Sequence, residues 1–219
     1  MTQTQDEPAL RVTEIFFSLQ GESTRVGLPT LFIRLTGCPL RCGYCDTDYA
    51  FNGGETLSVA KILEQAAQYN AHYVCVTGGE PLAQKHTPAL LTALCNRHYA
   101  VSLETSGALN ISAVDPRVSR IIDIKTPGSG ETDKNHWDNL ALITPHDEIK
   151  LVLCSEDDYR WAKHVIDEYD LSERCPVLLS PAHGLLDPAA LADWVVRDQL
   201  RVRMQVQLHK YLWGNERGR

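Results

Sequence analysis

Cys38-Pro39-Leu40-Arg41-Cys42-Gly43-Tyr44-Cys45 is the stretch that decides the fold and the chemistry of this chain, because it spaces three cysteines as C-x3-C-x2-C. It directly follows an apolar run at residues 31–35. Three thiols this close in sequence are typical of a metal site, and soft thiolate ligands favour an iron–sulfur cluster or zinc. Three ligands would leave one iron of a [4Fe–4S] cluster open to an outside ligand, which suggests catalysis.

A closed zinc site is the alternative occupant. Cys3His is a common structural zinc site, and His72 is the nearest histidine that could complete it. Zinc ribbons are usually built from paired C-x2-C units, which this stretch lacks. The spacing therefore favours a cluster over zinc without excluding zinc.

Two motifs together resemble the radical S-adenosylmethionine superfamily. The cysteine spacing after a predicted strand resembles that superfamily's cluster loop, in which the open iron binds the amino and carboxylate groups of S-adenosylmethionine. Thr77-Gly78-Gly79-Glu80-Pro81 follows a second apolar run and resembles its methionine-binding GGEP motif. Five further stretches resemble the 7-carboxy-7-deazaguanine synthase family: Ser18-Leu19-Gln20-Gly21-Glu22, Cys45-Asp46-Thr47, Glu104-Thr105-Ser106-Gly107, Asp123-Ile124-Lys125-Thr126-Pro127 and Gln207-Leu208-His209-Lys210-Tyr211. The resemblance covers nearly the whole chain.

Length and composition set the class of protein. A chain of 219 residues suits one α/β domain, here predicted over residues 1–219, and 43% apolar with 22% charged residues is ordinary for a globular protein. No apolar run approaches the roughly 20 residues of a membrane helix, and residues 1–8 lack the apolar core of a signal peptide. We therefore expect a cytoplasmic protein. A net charge of −7 disfavours binding to a nucleic-acid backbone and favours a small substrate.

The seven cysteines indicate thiols rather than a disulfide framework, since the count is odd and no secretion signal is seen. Cys75, Cys95, Cys154 and Cys175 lie outside the cluster loop, within or beside apolar runs. We interpret these four as small buried hydrophobes rather than ligands.

The hydrophobic pattern predicts strands that alternate with helices. The strands are expected at residues 12–17, 30–35, 72–76, 100–103, 121–124, 149–153, 177–179 and 202–208. Helix starts are expected at Ser58, Thr87-Pro88, Ser155 and Asp187-Pro188, which carry N-cap residues or an early proline. This alternation predicts a mainly parallel sheet with polar groups gathered at the strand carboxyl ends. The resemblance implies a partial, open (β/α) barrel.

The resemblance also implies roles for the cofactor-binding residues. Cys38, Cys42 and Cys45 would hold the [4Fe–4S] cluster. Gly78 and Gly79 would let the backbone approach the methionine part of S-adenosylmethionine, since glycine permits close approach. The remaining cofactor contacts are expected from Glu80 to the ammonium, and from Ser106, Lys125 and Ser180 to the ribose or carboxylate. Capping or solvation is the alternative role for the last three.

The family's substrate, 6-carboxy-5,6,7,8-tetrahydropterin, has a guanidine-like edge and a carboxylate. Thr47 offers the hard oxygen that Mg²⁺ prefers, and in this family it holds Mg²⁺ against that carboxylate. Arg34 would bind the same carboxylate, because a guanidinium can contact both oxygens. Gln20, Glu22 and Glu104 are expected at the pterin face, with Thr77 and His209 as further contacts. A surface role for Glu22 or Arg34, and a core role for His209 within a strand-like run, are the alternatives.

The implied reaction is a radical ring contraction to 7-carboxy-7-deazaguanine with loss of ammonia. Hydrogen abstraction at C6 by the 5′-deoxyadenosyl radical would start it, with a flavodoxin- or ferredoxin-like electron donor, and the enzyme would be a homodimer. The rivals are a glycyl-radical-enzyme activase, which shares both main motifs, and a non-enzymatic zinc-binding module. Residues 128–134 are the predicted mobile loop over the site. The chain continues past His209-Lys210 as a short extension after about residue 211, whose role the sequence leaves open.

Overall fold

A computed structural model describes residues 7–219 as one nine-stranded sheet with helices packed on it. The first six residues of the predicted domain, and most of the polar start at residues 1–8, lie outside the described part. The strands are β1 Ala9–Leu19, β2 Pro29–Leu35, β3 Glu55–Ser58, β4 Tyr73–Gly78, β5 Ala100–Thr105, β6 Ser119–Asp123, β7 Glu148–Leu153, β8 Val177–Pro181 and β9 Arg203–Met204.

The sheet is mainly parallel, as predicted. Its strand order is β3-β1-β2-β4-β5-β6-β7-β8-β9. All neighbours from β2 to β9 pair in parallel, whereas β1 pairs antiparallel with both β2 and β3. Because β3 and β9 remain as free edges, the sheet does not close. The fold is thus the partial, open (β/α) barrel that the resemblance implied.

The helices are α1 Val59–Ala66, α2 Thr87–Asn96, α3 Glu156–Glu168, α4 Leu171–Arg174, α5 Pro188–Arg197 and α6 Leu208–Trp213. Three predicted caps are confirmed. The side chains of Ser58, Ser155 and Asp187 accept hydrogen bonds from backbone N–H groups in the first turns of α1, α3 and α5. Each cap satisfies a donor that has no partner within its helix.

Two predictions about elements are wrong. Thr87 does not cap α2; it is the first helical residue, and its hydroxyl donates to the Pro81 carbonyl at 2.5 Å. The predicted strand at residues 202–208 shrinks to Arg203–Met204, and His209 lies in helix α6 instead. β9 is an edge strand that, among the described strands, pairs only with β8. An edge strand has a partner on one side only, so the apolar residues of this run do not have to extend the strand.

The buried core lies between the sheet and its helices. It joins strand residues such as Val76 and Leu103 to helix residues such as Leu90 and Ile166. Burial of these side chains leaves the carboxyl ends of the strands free to carry polar groups. Among the described residues, no helix has both the length and the apolar character that a membrane span requires.

Candidate active site

One cavity of about 320 Å³ lies at the carboxyl ends of the parallel strands. Its volume suits a small-molecule ligand. All the predicted site residues except Glu80 line it: Gln20, Glu22, Arg34, Cys38, Cys42, Cys45, Thr47, Thr77, Gly78, Gly79, Glu104, Ser106, Lys125, Ser180 and His209. Most of these residues lie at or just beyond the carboxyl ends of parallel strands, which share one edge of the sheet. Gln20 and Glu22 instead follow the antiparallel strand β1, whose end pairs with the start of β2, and they reach the cavity from that other edge.

The chemistry of the three cluster cysteines suits an iron–sulfur cluster, which is held by thiolates. All three thiols face the cavity, and Cys45 is exposed while the other two are partly buried. Burial raises the pKa of each thiol, so binding a metal would release protons. Among residues 7–219, no three Cys, His, Asp or Glu side chains lie close enough to hold one ion. His72 packs on Tyr73 at the opposite end of its strand, so the Cys3His zinc site is not formed.

Gly78 and Gly79 are needed for contact with the cluster loop itself. A Cβ on Gly78 would lie 2.2 Å from the carbonyl oxygen of Leu35, and one on Gly79 would lie 2.2 Å from that of Gly37. The Glu80 N–H donates to the same Gly37 carbonyl at 2.8 Å. The Gly-Gly turn therefore packs tightly against the loop that carries Cys38, while its other side faces the cavity.

Glu80 does not reach the cavity, contrary to the predicted contact with the ammonium of the cofactor. Its carboxylate is fully buried and accepts from the Leu82 N–H at 2.8 Å, the Thr105 hydroxyl at 2.9 Å, and both the N–H and the hydroxyl of Ser106, at 2.6 and 2.5 Å. A carboxylate with this many donors has little capacity left for a ligand. Glu80 instead fixes the end of β5, where Ser106 lines the cavity.

Thr47 lies at the cavity rim beside a carboxylate that the sequence analysis did not assign. The Thr47 hydroxyl donates to Asp46 Oδ1 at 2.9 Å. Asp46 Oδ2 also pairs with Lys210 Nζ at 2.9 Å and accepts from Gln207 at 3.1 Å. Burial would raise the pKa of Asp46, but Lys210 and Gln207 outweigh it and hold the pKa well below its usual range. Helix α6 is thereby tied to the end of the cluster loop.

A row of alternating charges crosses the floor of the cavity. Lys150 Nζ lies 2.9 Å from Glu22 and 3.8 Å from Asp123, and Asp123 pairs with Lys125 at 2.9 Å. Burial opposes the charge on Lys150, but Glu22 and Asp123 raise its pKa well above the ordinary value. Burial likewise opposes the charge on Glu22, and Lys150 and Gln207 lower its pKa below the ordinary value. This row links the predicted substrate residue Glu22 to the predicted cofactor residue Lys125.

Neither Lys150 nor the free Oδ1 atom of Asp123 was predicted from the sequence as part of the site. Lys150 interrupts the apolar strand Glu148–Leu153, and a charged residue inside a buried strand is a signal that could have identified it. Asp123 Oδ1 is buried and has no hydrogen-bond partner among the described residues. Such an atom marks a place where a ligand or water completes the site.

Glu104 forms the polar centre of the predicted substrate edge. Its carboxylate accepts from Gln20 Nε2 at 3.3 Å, from the Thr77 hydroxyl at 3.2 Å and from the Cys75 thiol at 3.6 Å. Cys75 is fully buried and lies outside the cavity lining, as expected for a bystander. These contacts fix the carboxylate at the end of β5 while its side chain remains only partly buried.

Arg34 and His209 both line the cavity. Arg34 Nε donates to Glu14 at 2.7 Å, and the Tyr49 hydroxyl donates to the same Glu14 oxygen at 2.8 Å. His209 packs on Gly21, where a Cβ would lie 2.1 Å from Nδ1. Burial lowers the pKa of His209, which favours the neutral ring. His209 thus faces the cavity from a helix rather than from the predicted strand.

Ser180 lines the cavity, and residues 128–134 lie outside its lining. Gln205 Nε2 donates to the Ser180 hydroxyl at 3.1 Å. Residues 128–134 pack on the cluster loop, since the Gly43 N–H donates to the Ser129 carbonyl at 3.0 Å and the Arg41 N–H donates to Glu131 at 2.6 Å. This segment therefore lies against the cluster loop; its mobility stays a prediction.

The fold and the site together define a radical S-adenosylmethionine protein. Residues 32–124 match the radical SAM superfamily. The crystal structure of QueE from Escherichia coli is similar with a TM-score of 0.75 and 22% identity, covering 92% of this chain and 95% of that one. Streptococcus suis SuiB, in a crystal structure bound to S-adenosylmethionine, is similar with a TM-score of 0.54 and 14% identity over 78% of this chain and 45% of that one.

Curated relatives specify the family within that superfamily. The chain is 48% identical to the 7-carboxy-7-deazaguanine synthase of Chlorobaculum tepidum over 95% of this chain and 96% of that protein. It is 39% identical to the enzyme of the same name from Koribacter versatilis, over 94% and 98% of the two chains. The chain belongs to the 7-carboxy-7-deazaguanine synthase family.

Proposed function

We propose that this chain converts 6-carboxy-5,6,7,8-tetrahydropterin to 7-carboxy-7-deazaguanine, with release of ammonia, through the residues that line the strand-end cavity. The product belongs to the biosynthesis of queuosine and other 7-deazapurines, and the enzyme is a carbon–nitrogen lyase. The observation that carries this proposal is the meeting of three cluster thiols, the Gly78–Gly79 turn and the Glu104 edge in one cavity.

The cofactor side is built from the cluster loop and the ends of β4 to β8. Cys38, Cys42 and Cys45 would hold the [4Fe–4S] cluster, and the backbone at Gly78 and Gly79, which contacts the cluster loop, would receive S-adenosylmethionine. When bound, these two groups supply the 5′-deoxyadenosyl radical that abstracts hydrogen from the substrate. Lys125 and Asp123 present a cation and a free acceptor on the same side, which suits the carboxylate and the hydroxyl groups of S-adenosylmethionine.

The substrate side matches the two ends of the pterin. The amino group and ring N–H of the pterin are donors, and the Glu104 carboxylate accepts from them at the end of β5. Glu22 provides a second acceptor, kept ionised by Lys150. Arg34 and an Mg²⁺ ion held by Thr47 face the opposite end, where they neutralise the substrate carboxylate. The pterin is thereby oriented before reaction, and orientation is a large part of catalysis.

The cytoplasmic location, the homodimer and the flavodoxin- or ferredoxin-like electron donor stay predictions. Family membership supports the need for a reductant, since the [4Fe–4S] cluster would supply an electron for the reaction. Size-exclusion chromatography with light scattering tests the dimer.

Anaerobic turnover tests the function and the magnesium site together. Protein with reconstituted cluster, S-adenosylmethionine and dithionite should convert 6-carboxytetrahydropterin to 7-carboxy-7-deazaguanine, and Mg²⁺ should raise the rate. Thr47→Ala should weaken the apparent affinity for Mg²⁺ about tenfold or more, because loss of a metal-site group typically has that effect. The matched control is Thr56→Ala, at an exposed threonine on edge strand β3.

Two results would contradict the proposal in different ways. Cleavage of S-adenosylmethionine without any deazaguanine product would reject the substrate. An identical Mg²⁺ response in Thr47→Ala, Thr56→Ala and wild type would reject Thr47 as the metal ligand while leaving the reaction in place.

A further inference from the structure

The last six residues of the chain return to the cavity after helix α6. We define residues 214–219 as the C-terminal strap. Arg219 lines the cavity. The Arg217 guanidinium lies 4.1 Å from the centroid of the Tyr49 ring, which the guanidinium of Arg34 approaches at 5.9 Å. The strap therefore closes on the side of the mouth where Arg34 lies.

The strap adds positive charge to that side of the mouth. Arg34 donates through Nε to Glu14, so part of its charge is already balanced. Arg219 donates to Glu216 within the strap at 3.0 Å, but both side chains of that pair are about half exposed, at 52% and 55%. Exposed pairs contribute little, so a ligand anion can replace Glu216 at small cost. Arg217 stacks on an aromatic ring, a contact that suits a guanidinium and fixes the course of the strap.

We propose that Arg219 binds the carboxylate of the pterin substrate and that Arg217, stacked on Tyr49, positions the strap for this contact. This inference rests on the proposed function. A planar guanidinium can donate to both oxygens of a carboxylate, which a lysine cannot do with the same geometry. The substrate carboxylate is the matching anion because Arg34 and Thr47, its other predicted partners, line the same cavity as Arg219, and Arg34 approaches the ring on which Arg217 stacks.

The proposal explains how this chain uses residues beyond the His209-Lys210 pair. Helix α6 is tied to the body by Lys210 and Asp46, and by the Leu208 N–H that donates to the Gly21 carbonyl at 3.0 Å. These contacts set the direction in which the strap leaves the helix. Substrate bound under the strap would be covered on its carboxylate side, which limits access of water to the radical.

Equilibrium binding to the cluster-loaded protein tests the proposal without turnover. Calorimetric titrations under anaerobic conditions would use 6-carboxytetrahydropterin, tetrahydropterin without the carboxylate, and S-adenosylmethionine. Arg219→Gln should weaken binding of the carboxylated pterin about fivefold, which corresponds to about 1 kcal/mol, and the loss should shrink at high salt. Binding of the other two ligands should stay unchanged. Arg217→Gln should show the same selectivity, and Arg219→Lys should restore part of the affinity.

The control variant is Arg203→Gln, at an exposed arginine on β9 that faces a separate cleft away from the cavity. It should bind all three ligands like wild type. Equal weakening of both pterins by Arg219→Gln would show that the strap acts only through the fold, and unchanged binding would show that Arg219 does not contact substrate; each overturns the inference. Failure of wild type to bind either pterin would reject the proposed function itself.

Discussion

Replacing Lys150 by methionine should destabilise the protein more than any exposed charge substitution. The change keeps most of the length of the side chain but removes the ammonium that lies between Glu22 and Asp123. The side chains of Lys150, Glu22 and Asp123 are only 13–14% exposed, so solvent screens the interactions between them weakly. Breaking a buried pair by removing one partner costs about 3–5 kcal/mol. We expect the lower end, about 3 kcal/mol at pH 8, because Gln207 still bonds Glu22 and Lys125 still pairs with Asp123.

The loss of stability in Lys150→Met should be larger at pH 8 than at pH 5. In wild type the pKa of Glu22 is lowered from 4.5, so its stabilising contribution is present above that pH and is lost as pH falls through the folded-state pKa. In Lys150→Met the ammonium that counteracts the effect of burial on Glu22 is gone. The pKa of Glu22 therefore rises, and the carboxylate can become neutral at mildly acid pH. The difference between the two proteins should shrink by at least about 1.4 kcal/mol between pH 8 and pH 5, the equivalent of one pKa unit.

Urea unfolding of the two cluster-free proteins at both pH values measures this difference. Lys61→Met is the matched control, since the Lys61–Glu64 pair is 50% and 64% exposed and should change stability by less than about 0.5 kcal/mol. A Lys150→Met loss that stayed the same at pH 8 and pH 5 would refute the electrostatic reasoning. It would mean that methionine packs badly rather than that a charge has lost its partner.

Two further predictions concern the cluster and the substrate edge. Joint replacement of Cys38, Cys42 and Cys45 by alanine should abolish the brown colour of the reconstituted protein, whereas joint replacement of the other four cysteines should leave it; about four irons per chain in the triple variant would contradict the assignment. Glu104→Gln sets an amide donor against the donors of the pterin and should weaken pterin binding about 5- to 150-fold, with S-adenosylmethionine affinity near wild type; calorimetry that showed the reverse pattern would place Glu104 at the cofactor.

The strands and the cluster loop were predictable because their signals are local. The apolar run of β2 and the C-x3-C-x2-C spacing stand next to each other in the sequence. Helix α6 was not predictable in the same way. Its residues 208–213 follow an apolar run that also suits a strand, and only contacts with distant groups, such as Asp46 with Lys210, decide the outcome. Tertiary contacts of this kind override short-range propensity.

The site shows the same division between local and distant information. Motifs located the lining residues, but they did not show which atoms remain free for ligands. Glu80 is the clearest case, because its motif marks it as a cofactor contact while its oxygens are taken up by Leu82, Thr105 and Ser106. Lys150 is the opposite case, since no quoted motif contains it, yet it holds Glu22 in place.

The relation between the two main motifs follows from sheet register rather than from their sequence spacing. β2 and β4 pair in parallel so that Leu35 lies opposite Gly78, and both strands therefore end at the same level. The chain after Leu35 becomes the cluster loop and the chain after Gly78 becomes the Gly-Gly turn. The Gly79 N–H bonds to the Leu35 carbonyl at 3.2 Å and the Glu80 N–H bonds to the Gly37 carbonyl at 2.8 Å. Backbone hydrogen bonds thus set the cluster loop and the Gly-Gly turn side by side, and side-chain substitutions elsewhere in the cavity should leave this arrangement intact.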